Sequence, residues 1–478
     1  MTDRSLPSSV VVVGAGLGGL SAAHAIRRHA QARGRDLRLE VWEAGERPGG
    51  QLRSVRDDGF LVEWAANAFR TGLGPTADLV ARLGLQGDQV HADRAAERRY
   101  VFHGGRLHLL PSDPISLLTF SPMSRDGRLR VLAEPFLADQ VEHEETVFDY
   151  ASRHIGPEAA EVLLGTMVRG VYGGDAHRLS VDAAFPIMRD MEREHRSLVI
   201  AGIAGMPERM RERKTTWSFR GGMQTLLDAL ADDLGPALRL QRPALGLRAD
   251  PAGGFHLRAS DGSEDAFDAV VLALPPEPSA ALLESLDATA ADDLRGIPTR
   301  PIGMVALAFA HGALATPPDG FGFLVAPNED LPVLGVLIES NVFPGRAPVG
   351  HHLLRVIMGG VADPALTTRS DDDLRATALD AIDRAWGVRD EPVRSWIGRQ
   401  ERGIPQYELG HLGRITRVES RLARYPGLVL AGNAYRGIAV GKLVEDAETV
   451  AAAIWGESLE PSDAPLAASD SLATPNRP

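Results

Sequence analysis

The sequence contains no cysteine. Disulfides, thiolate nucleophiles and cysteine metal sites are thereby excluded. No apolar run approaches the roughly 20 residues that a bilayer-spanning helix takes. Residues 1–9 lack the apolar core of a secretion signal, and the apolar run that begins at Val10 fits a buried strand instead. Positive charge is in deficit: 51 Lys and Arg stand against 64 Asp and Glu, a formal net charge of -13. That balance argues against nucleic acid as a partner, because phosphates call for a basic face. The 14 histidines fall into no ligand spacing, so no metal site is expected. His351-His352 reads as two neighbours on opposite faces of a strand. The expected location is cytoplasmic.

What is present reads as a globular chain. Hydrophobic residues make up 44%, an ordinary share for a folded protein. A length of 478 residues exceeds one core and implies two or three domains. Val10 to Val13 read as a parallel strand buried on both faces. Glycines follow at once, then an alanine-rich helix over 20–32 and a second strand over 37–42 that ends at Glu43. Further strands are expected over 267–274, 305–309, 323–325, 333–338, 352–358 and 428–431. Helix formers fill 111–185, Asp371 to Asp373 open a helix, and a last helix runs over 441–455. The tail, rich in Ser, Ala, Pro and Asp, has no periodicity and reads as disordered.

The βαβ unit carries Gly14-Ala15-Gly16-Leu17-Gly18-Gly19, and its context makes the motif informative: strand before, helix after, acid at the end of the next strand. Gly14 permits the tight turn, Gly16 lets the backbone approach a pyrophosphate, and Gly19 lets the helix lie close to the sheet. The helix N-terminus offers free N–H groups and a positive dipole to phosphate. Glu43 suits the ribose hydroxyls of adenosine and would repel a 2′-phosphate.

Two further segments resemble the FAD proteins of the amine oxidase superfamily. One is Arg47-Pro48-Gly49-Gly50-Gln51-Leu52; the other is Leu428-Val-Leu-Ala-Gly432-Asn433. In that superfamily the second segment returns to the nucleotide domain, and the helix after it aims its N-terminus at the flavin, where a dipole stabilises negative charge near N1 and O2. The resemblance implies FAD as cofactor and a Rossmann-like α/β domain of the amine-oxidase type, discontinuous over 8–72, 219–280 and 405–458. It implies cofactor contacts at the glycine motif from Gly14 to Gly19, including Ala15, Leu17 and Gly18. It adds Glu43 and Ala44, then Arg47, Gly49, Gly50, Gln51 and Leu52. Ala66, Asn67 and Ala244 follow, and Gly432, Asn433, Ile438, Ala439 and Val440 complete the set.

The middle of the chain resembles one family within that superfamily, the protoporphyrinogen oxidases. The similar segments are Glu145-Thr-Val-Phe-Asp-Tyr-Ala-Ser-Arg-His-Ile-Gly156, Val168-Arg-Gly-Val-Tyr-Gly-Gly-Asp175, Ser218-Phe-Arg-Gly-Gly-Met-Gln-Thr-Leu226, Gly320-Phe-Gly-Phe-Leu324, Phe343-Pro-Gly-Arg-Ala-Pro348 and Ile404-Pro-Gln-Tyr407. They occur in the family's order and leave only the tail uncovered. The resemblance implies an α+β substrate domain over 73–110, 187–218 and 281–404, a helical subdomain over 111–186, and a disordered tail over 459–478. Three departures stand out. Ala65-Ala66 replaces the Gly-Pro that many members carry before the asparagine. Gly437-Ile-Ala-Val-Gly-Lys442 lacks a Pro-Asp or Asn-Asp pair. Gln400 stands where a tryptophan is frequent.

The chemistry implied is six-electron oxidation of a porphyrinogen with dioxygen as partner and hydrogen peroxide as by-product, in three two-electron rounds. The chemical step is hydride transfer from a meso carbon to flavin N5, with proton loss from pyrrole nitrogen. No catalytic dyad is required, since the cofactor carries the reaction. Such a pocket is mostly apolar with few polar anchors. By resemblance, Arg99 meets a propionate, which its planar fork suits. Leu324, Leu337 and Ile357 line the ring, Ile357 standing where some relatives have phenylalanine. Gly174 leaves room for a pyrrole. The resemblance also leaves open a homodimer and peripheral contact with the inner face of the cytoplasmic membrane through 111–136, where Ile115, Leu117, Leu118 and Phe120 lie.

Three rival readings stand beside this one. Coproporphyrinogen, with four propionates, is a near variant. An amine or carotenoid oxidase would share the fold, which therefore does not decide between them. A tetrapyrrole carrier would bind without reducing a flavin.

Overall fold

Four consecutive valines have no polar side to turn to water, so a strand built from them must be covered on both faces. In the computed structural model, which describes residues 6–70, 74–112, 114–137, 139–204 and 216–457, Ser9–Val13 is the central strand of a parallel sheet. The order across that sheet is Leu428–Leu430, Ala269–Leu272, Ser9–Val13, Arg38–Trp42, Leu238–Arg239. Val10 and Val12 enter one core, with helices Leu17–Ala32, Gln224–Leu234 and Val440–Ile454. Val11 and Val13 enter another, with helices Pro276–Leu283, Ala288–Arg295 and His411–Leu422 and an antiparallel meander over 244–267. Full burial of each valine contributes about 2 kcal/mol.

The second layer is a mixed sheet. Its order is Arg394–Pro405, Thr299–Ala310, His351–Gly359, Val333–Ile338, Gly322–Val325, Arg99–His103, Arg106–Leu109. Side chains alternate across it. Val305, Phe323, Val336 and Val356 meet helix Asp371–Trp386 in one core. The residues between them form the opposite face, on which hairpin Ser54–Asp57/Phe60–Glu63 partly lies. The fold is thus α/β, with one parallel and one mixed sheet, and short helices from Val147–Ile155 to Leu198–Ala204 cover one end of the mixed sheet.

Several expected boundaries move. The run expected over 267–274 is two strands, Glu264–Phe267 and Ala269–Leu272. Asp268 separates them because its carboxylate accepts from the Ser8 and Ser9 N–H groups at 2.7 and 2.9 Å. Residues 281–298, assigned from sequence to the substrate domain, lie in the nucleotide core instead: Leu282, Leu283, Ala290, Leu294 and Ile297 pack beside Val11 and Val13. Residues 187–204 belong with the helical layer. Buried His154 lies between Glu134 and Glu192 at 2.8 and 3.3 Å, and Arg189 meets Glu192 at 2.6 Å, which fastens that segment to 134–155. Helix Asp371–Trp386 starts at the expected acidic run, with Ser370 and Asp373 forming a capping box. The expected tail over 459–478 lies outside the described residues.

Candidate functional site

The glycine motif folds into an open cradle. Gly14 has φ +105°, and a side chain there would come within 2.5 Å of the Ala273 carbonyl oxygen. A Cβ on Gly19 would overlap the Gly14 carbonyl oxygen. Gly16 differs from both: its backbone is extended (φ -70°, ψ 173°), and a Cβ on it would meet no atom within 4 Å. It faces empty space at the mouth of helix Leu17–Ala32, whose first N–H groups have no side-chain cap.

Glu43 sits at the end of the second strand. Its two oxygens accept from the Ala15 and Gly45 N–H groups, both at 2.8 Å. A carboxylate accepts about four hydrogen bonds, so capacity remains for ligand hydroxyls. Ala44, next to it, is exposed. The segment entering Ala244–Ala249 reinforces this corner: Arg242 N–H donates to the Glu43 carbonyl at 2.8 Å, and Gln241 N–H to that of Gly45 at 3.0 Å. Ala244 itself is half-buried two residues further on.

The second glycine pair closes over the first. Gly49 bridges Gly16, with its N–H donating to the Ala15 carbonyl at 2.7 Å. Arg47 turns its guanidinium to the carbonyls of Pro48, Gly50 and Leu52, so it shapes its own loop. Gln51 donates to the Gly403 carbonyl at 2.8 Å, and Gln400 donates back to the Gln51 carbonyl at 2.9 Å. The unusual Gln400 therefore ties the loop to the mixed sheet.

The C-terminal segment meets the cradle from the other side. A Cβ on Gly18 would lie 3.3 Å from the Gly432 α-carbon, whereas Gly432, at φ +121°, faces open space. Asn433 and Ile438 flank a turn into Val440–Ile454, a helix that begins at Ala439 with no side-chain cap. Two uncapped helix N-termini and two open glycines thus border one space. That arrangement fits an anionic dinucleotide such as FAD, whose pyrophosphate and reduced ring both carry negative charge.

Ala66 and Asn67 follow hairpin strand Phe60–Glu63. Asn67 is buried, and its Nδ2 donates to both oxygens of Glu339 at 3.1 and 3.0 Å. Glu339 pairs with Arg355 at 2.7 Å, and Glu63 with Arg346 at 2.9 Å. Burial pushes the Glu63 carboxyl up; Arg346, the Ser54 hydroxyl and the Met223 N–H act against it. None of these four charges was singled out from the sequence. The available signal was a lone charge inside or ending an apolar run, as in 352–358 and 333–339.

Four of the five expected pocket residues share one face of the mixed sheet. Leu324 is opposite Gly335, Leu337 opposite Gly322, and Ile357 opposite Gly335. Arg99 is the register partner of Gly322 on the neighbouring strand. Leu324, Leu337 and Ile357 are half-buried on strands otherwise largely buried, and the Leu324 side chain lies over Gly335 and against Gly170. Arg99 lies over the Phe321 ring at 4.9 Å. Among the described residues no carboxylate pairs with it; partial burial and the like charge of Arg70 push its guanidinium down. Gly174 is the fifth. The place its side chain would fill is taken by the Gln406 amide oxygen, 2.5 Å from an ideal Cβ, because Gln406 turns in to donate to the Tyr172 carbonyl at 2.9 Å. Its missing side chain accommodates Gln406.

Known proteins match this arrangement. The family model for flavin containing amine oxidoreductase matches residues 17–455. The protoporphyrinogen oxidase of Bos taurus is 32% identical over 480 residues, covering 94% of this chain and 98% of that one. The coproporphyrinogen III oxidase of Propionibacterium freudenreichii subsp. freudenreichii is 31% identical over 513 residues, covering 98% and 93%. A solved structure from Exiguobacterium sp. 255-15 superposes with a TM-score of 0.82 at 25% identity, covering 94% and 99%.

Proposed function

This chain belongs to the flavin containing amine oxidoreductase family, its cofactor is FAD, and from that premise we propose that it oxidises protoporphyrinogen IX to protoporphyrin IX. Six electrons and six hydrogens leave the substrate, and three dioxygen molecules become three of hydrogen peroxide. The observation that carries this reading is the half-buried Leu324, Leu337 and Ile357 face with, at its edge, Arg99, which no carboxylate pairs among the described residues. It offers apolar area to a macrocycle and a cation to a propionate.

When bound, FAD supplies a two-electron acceptor that dioxygen restores. The chain's own residues do the rest. The Gly14 to Gly19 cradle and the N-terminus of Leu17–Ala32 hold the pyrophosphate. Glu43 accepts the ribose hydroxyls, with Ala44 and Ala244 beside the adenosine. Gly49, Gly50, Gln51 and Leu52 cover the dinucleotide, in a loop that Arg47 shapes. Gly432, Asn433, Ile438, Ala439 and Val440 would hold the ring at the second helix N-terminus, where a positive dipole would favour its negative charge, with Ala66 and Asn67 among its contacts. The mixed-sheet face orients the macrocycle and excludes water.

Coproporphyrinogen III is the second reading, favoured by the equally similar bacterial relative. Among the described residues no helix is long and apolar enough to cross a membrane. Exposed Leu118, Leu129, Phe136 and Leu137 support peripheral membrane contact through the helical layer, while Leu117 and Phe120 are core. The side chain of Ile115 lies outside the described residues.

The test is anaerobic mixing of the FAD-loaded protein with each porphyrinogen. Flavin bleaching, then porphyrin fluorescence and peroxide on aeration, is expected, and the faster substrate identifies the physiological class. Flavin that stays oxidised with both while either ligand binds would leave the carrier reading. No binding at all would return the chain to amine or carotenoid oxidation.

A further inference from the structure

Two buried charges lie directly behind Asn67. Glu339 and Arg355 are 1% and 3% exposed, and Arg355 Nε lies 2.7 Å from Glu339 Oε1. A buried ion pair seldom adds stability beyond what apolar packing would give, so its retention calls for another reason. Its hydrogen bonds supply one. The Glu339 carboxylate meets Asn67 Nδ2 through both oxygens. An ionised carboxylate accepts and cannot donate. The Asn67 amide must therefore present its NH2 end to Glu339 and turn its carbonyl Oδ1 the other way.

Arg355 adds a second constraint. It donates to the carbonyls of Glu63, at 3.2 Å, and Ala65, within the segment that leads into Asn67. It stands on the same sheet face as the expected pocket, opposite Leu337 and two residues before Ile357. The segment that carries Asn67 is thus held to the strand that bears that apolar face.

We propose that Glu339 and Arg355 are positioning residues that lock the Asn67 amide, so that the site offers the substrate a hydrogen-bond acceptor, Asn67 Oδ1, and no donor. The proposal rests on the porphyrinogen reading above, because a pyrrole N–H can only donate. In each round a hydride leaves a meso carbon with both electrons and passes to the cofactor, and a proton leaves a pyrrole nitrogen for solvent; after the third round the last meso CH2 loses a proton and a ring nitrogen gains one, a tautomerisation that leaves four methine bridges and two N–H groups. As the hydride departs, positive charge spreads into the adjacent pyrrole and its N–H becomes more acidic. A hydrogen bond to Asn67 Oδ1 therefore strengthens towards the transition state and favours rate over binding. The carboxamide is too weak a base to keep the proton and only holds the N–H in place.

The FAD-loaded full chain, Glu339→Gln, Glu339→Asp and Asn67→Leu test this. Glutamine is isosteric but can donate, so Asn67 becomes free to turn over. FAD content and the shape of the flavin absorption bands report whether the site is assembled. Quenching of protoporphyrin IX fluorescence gives a ligand affinity independent of turnover. Anaerobic bleaching over a range of protoporphyrinogen IX concentrations separates affinity from limiting rate. Glu339→Gln should keep FAD and its bands, and both it and Asn67→Leu should lose the limiting rate per bound FAD about 30-fold and change both affinities by less than about threefold. Glu339→Asp, which can only accept, should recover most of the rate. A Glu339→Gln protein that bleaches as fast as wild type overturns the lock, as does a rate lost only in step with FAD or an effect confined to affinity. Should Glu339→Gln not fold, an undiminished rate in Asn67→Leu overturns it equally. An inert wild type sinks the substrate reading instead, so the two failures are distinct.

Discussion

The Tyr407 hydroxyl donates to the Asn433 carbonyl at 2.6 Å and accepts from the Gly437 N–H at 2.9 Å. One side chain therefore holds both ends of the turn that leads into helix Val440–Ile454. The phenol is well placed for this: burial pushes its pKa up, so it stays protonated and keeps its donor. Its ring stacks on His411 with centroids 4.1 Å apart, which fixes the direction of the hydroxyl.

Tyr407→Phe should preserve the stack and release the turn. The Gly437 N–H would lose its partner, at a cost of about 1–3 kcal/mol. Because that turn sets the helix N-terminus against the flavin site, FAD affinity should fall about tenfold. Titration of the apoprotein with FAD, followed by flavin fluorescence, measures it. Unchanged affinity would mean that the turn is held by its own backbone.

Gly16 and Gly19 separate binding from folding. A Cβ on Gly16 enters open space, so Gly16→Ala should leave the apoprotein's melting temperature within about 2 °C of wild type. It should still weaken FAD binding more than about tenfold, because it fills the approach to the pyrophosphate. Gly19→Ala should do the reverse. Its methyl group would overlap the Gly14 carbonyl oxygen and force the helix off the sheet, with a cost of about 1–3 kcal/mol before any ligand is added. Melting curves with and without FAD check both. Equal loss of stability in the two variants would contradict the open cradle.

How far the sequence carried this reading depends on the range of the interactions involved. The glycine motif, Glu43 and the last helix were legible because a strand, a tight turn and a helix start are written in consecutive residues. The proposed pocket face rests on family resemblance: Leu324, Leu337 and Ile357 look like ordinary core residues, and sheet register alone brings them together. The packing of Gly174 against Gln406 was not legible, because the two are distant in sequence. The Glu63–Arg346 and Glu339–Arg355 pairs were missed for the same reason, each joining residues that local pattern cannot relate. Residues 281–298 were misplaced because a helix pair's apolar stripe does not say which of two sheets it covers.

Arg99 should act on substrate binding more than on rate. It sits at the edge of the apolar face, and an anchor for a carboxylate remote from the reacting carbons binds ground and transition states alike. Arg99→Ala should raise the KM for a dicarboxylate porphyrinogen about tenfold, with kcat changed less than about threefold. Arg99→Lys keeps the charge but not the planar fork and should fall between. Steady-state kinetics at two salt concentrations would check the assignment. An Arg99→Ala enzyme with unchanged KM would remove Arg99 from the site.

His411 predicts how the protein meets acid. It is 3% exposed, with its ring against Tyr407. Burial pushes it down to about 4, the Tyr435 backbone opposes this, and the Arg414 charge adds to it. In the unfolded chain the same imidazole takes a proton near 6.5. Between those values the unfolded state binds the proton and the folded state does not. Stability is therefore held in full above pH ~6.5 and drains away as pH falls towards 4. The loss from this one group is about 2 kcal/mol at pH 5 and about 3 kcal/mol at pH 4. His411→Phe keeps the stack and cannot titrate. It should be up to about 1 kcal/mol less stable than wild type at pH 8, where it lacks the imidazole's hydrogen bond, yet decline less steeply and match or exceed wild type by pH 5. Urea midpoints at pH 8, 6.5 and 5 would read the difference directly. Parallel decline of the two proteins would place the acid sensitivity in other groups, with Glu134 and Glu192 of the helical layer, which burial pushes up but hydrogen bonds hold below the usual carboxylate range, the next to test.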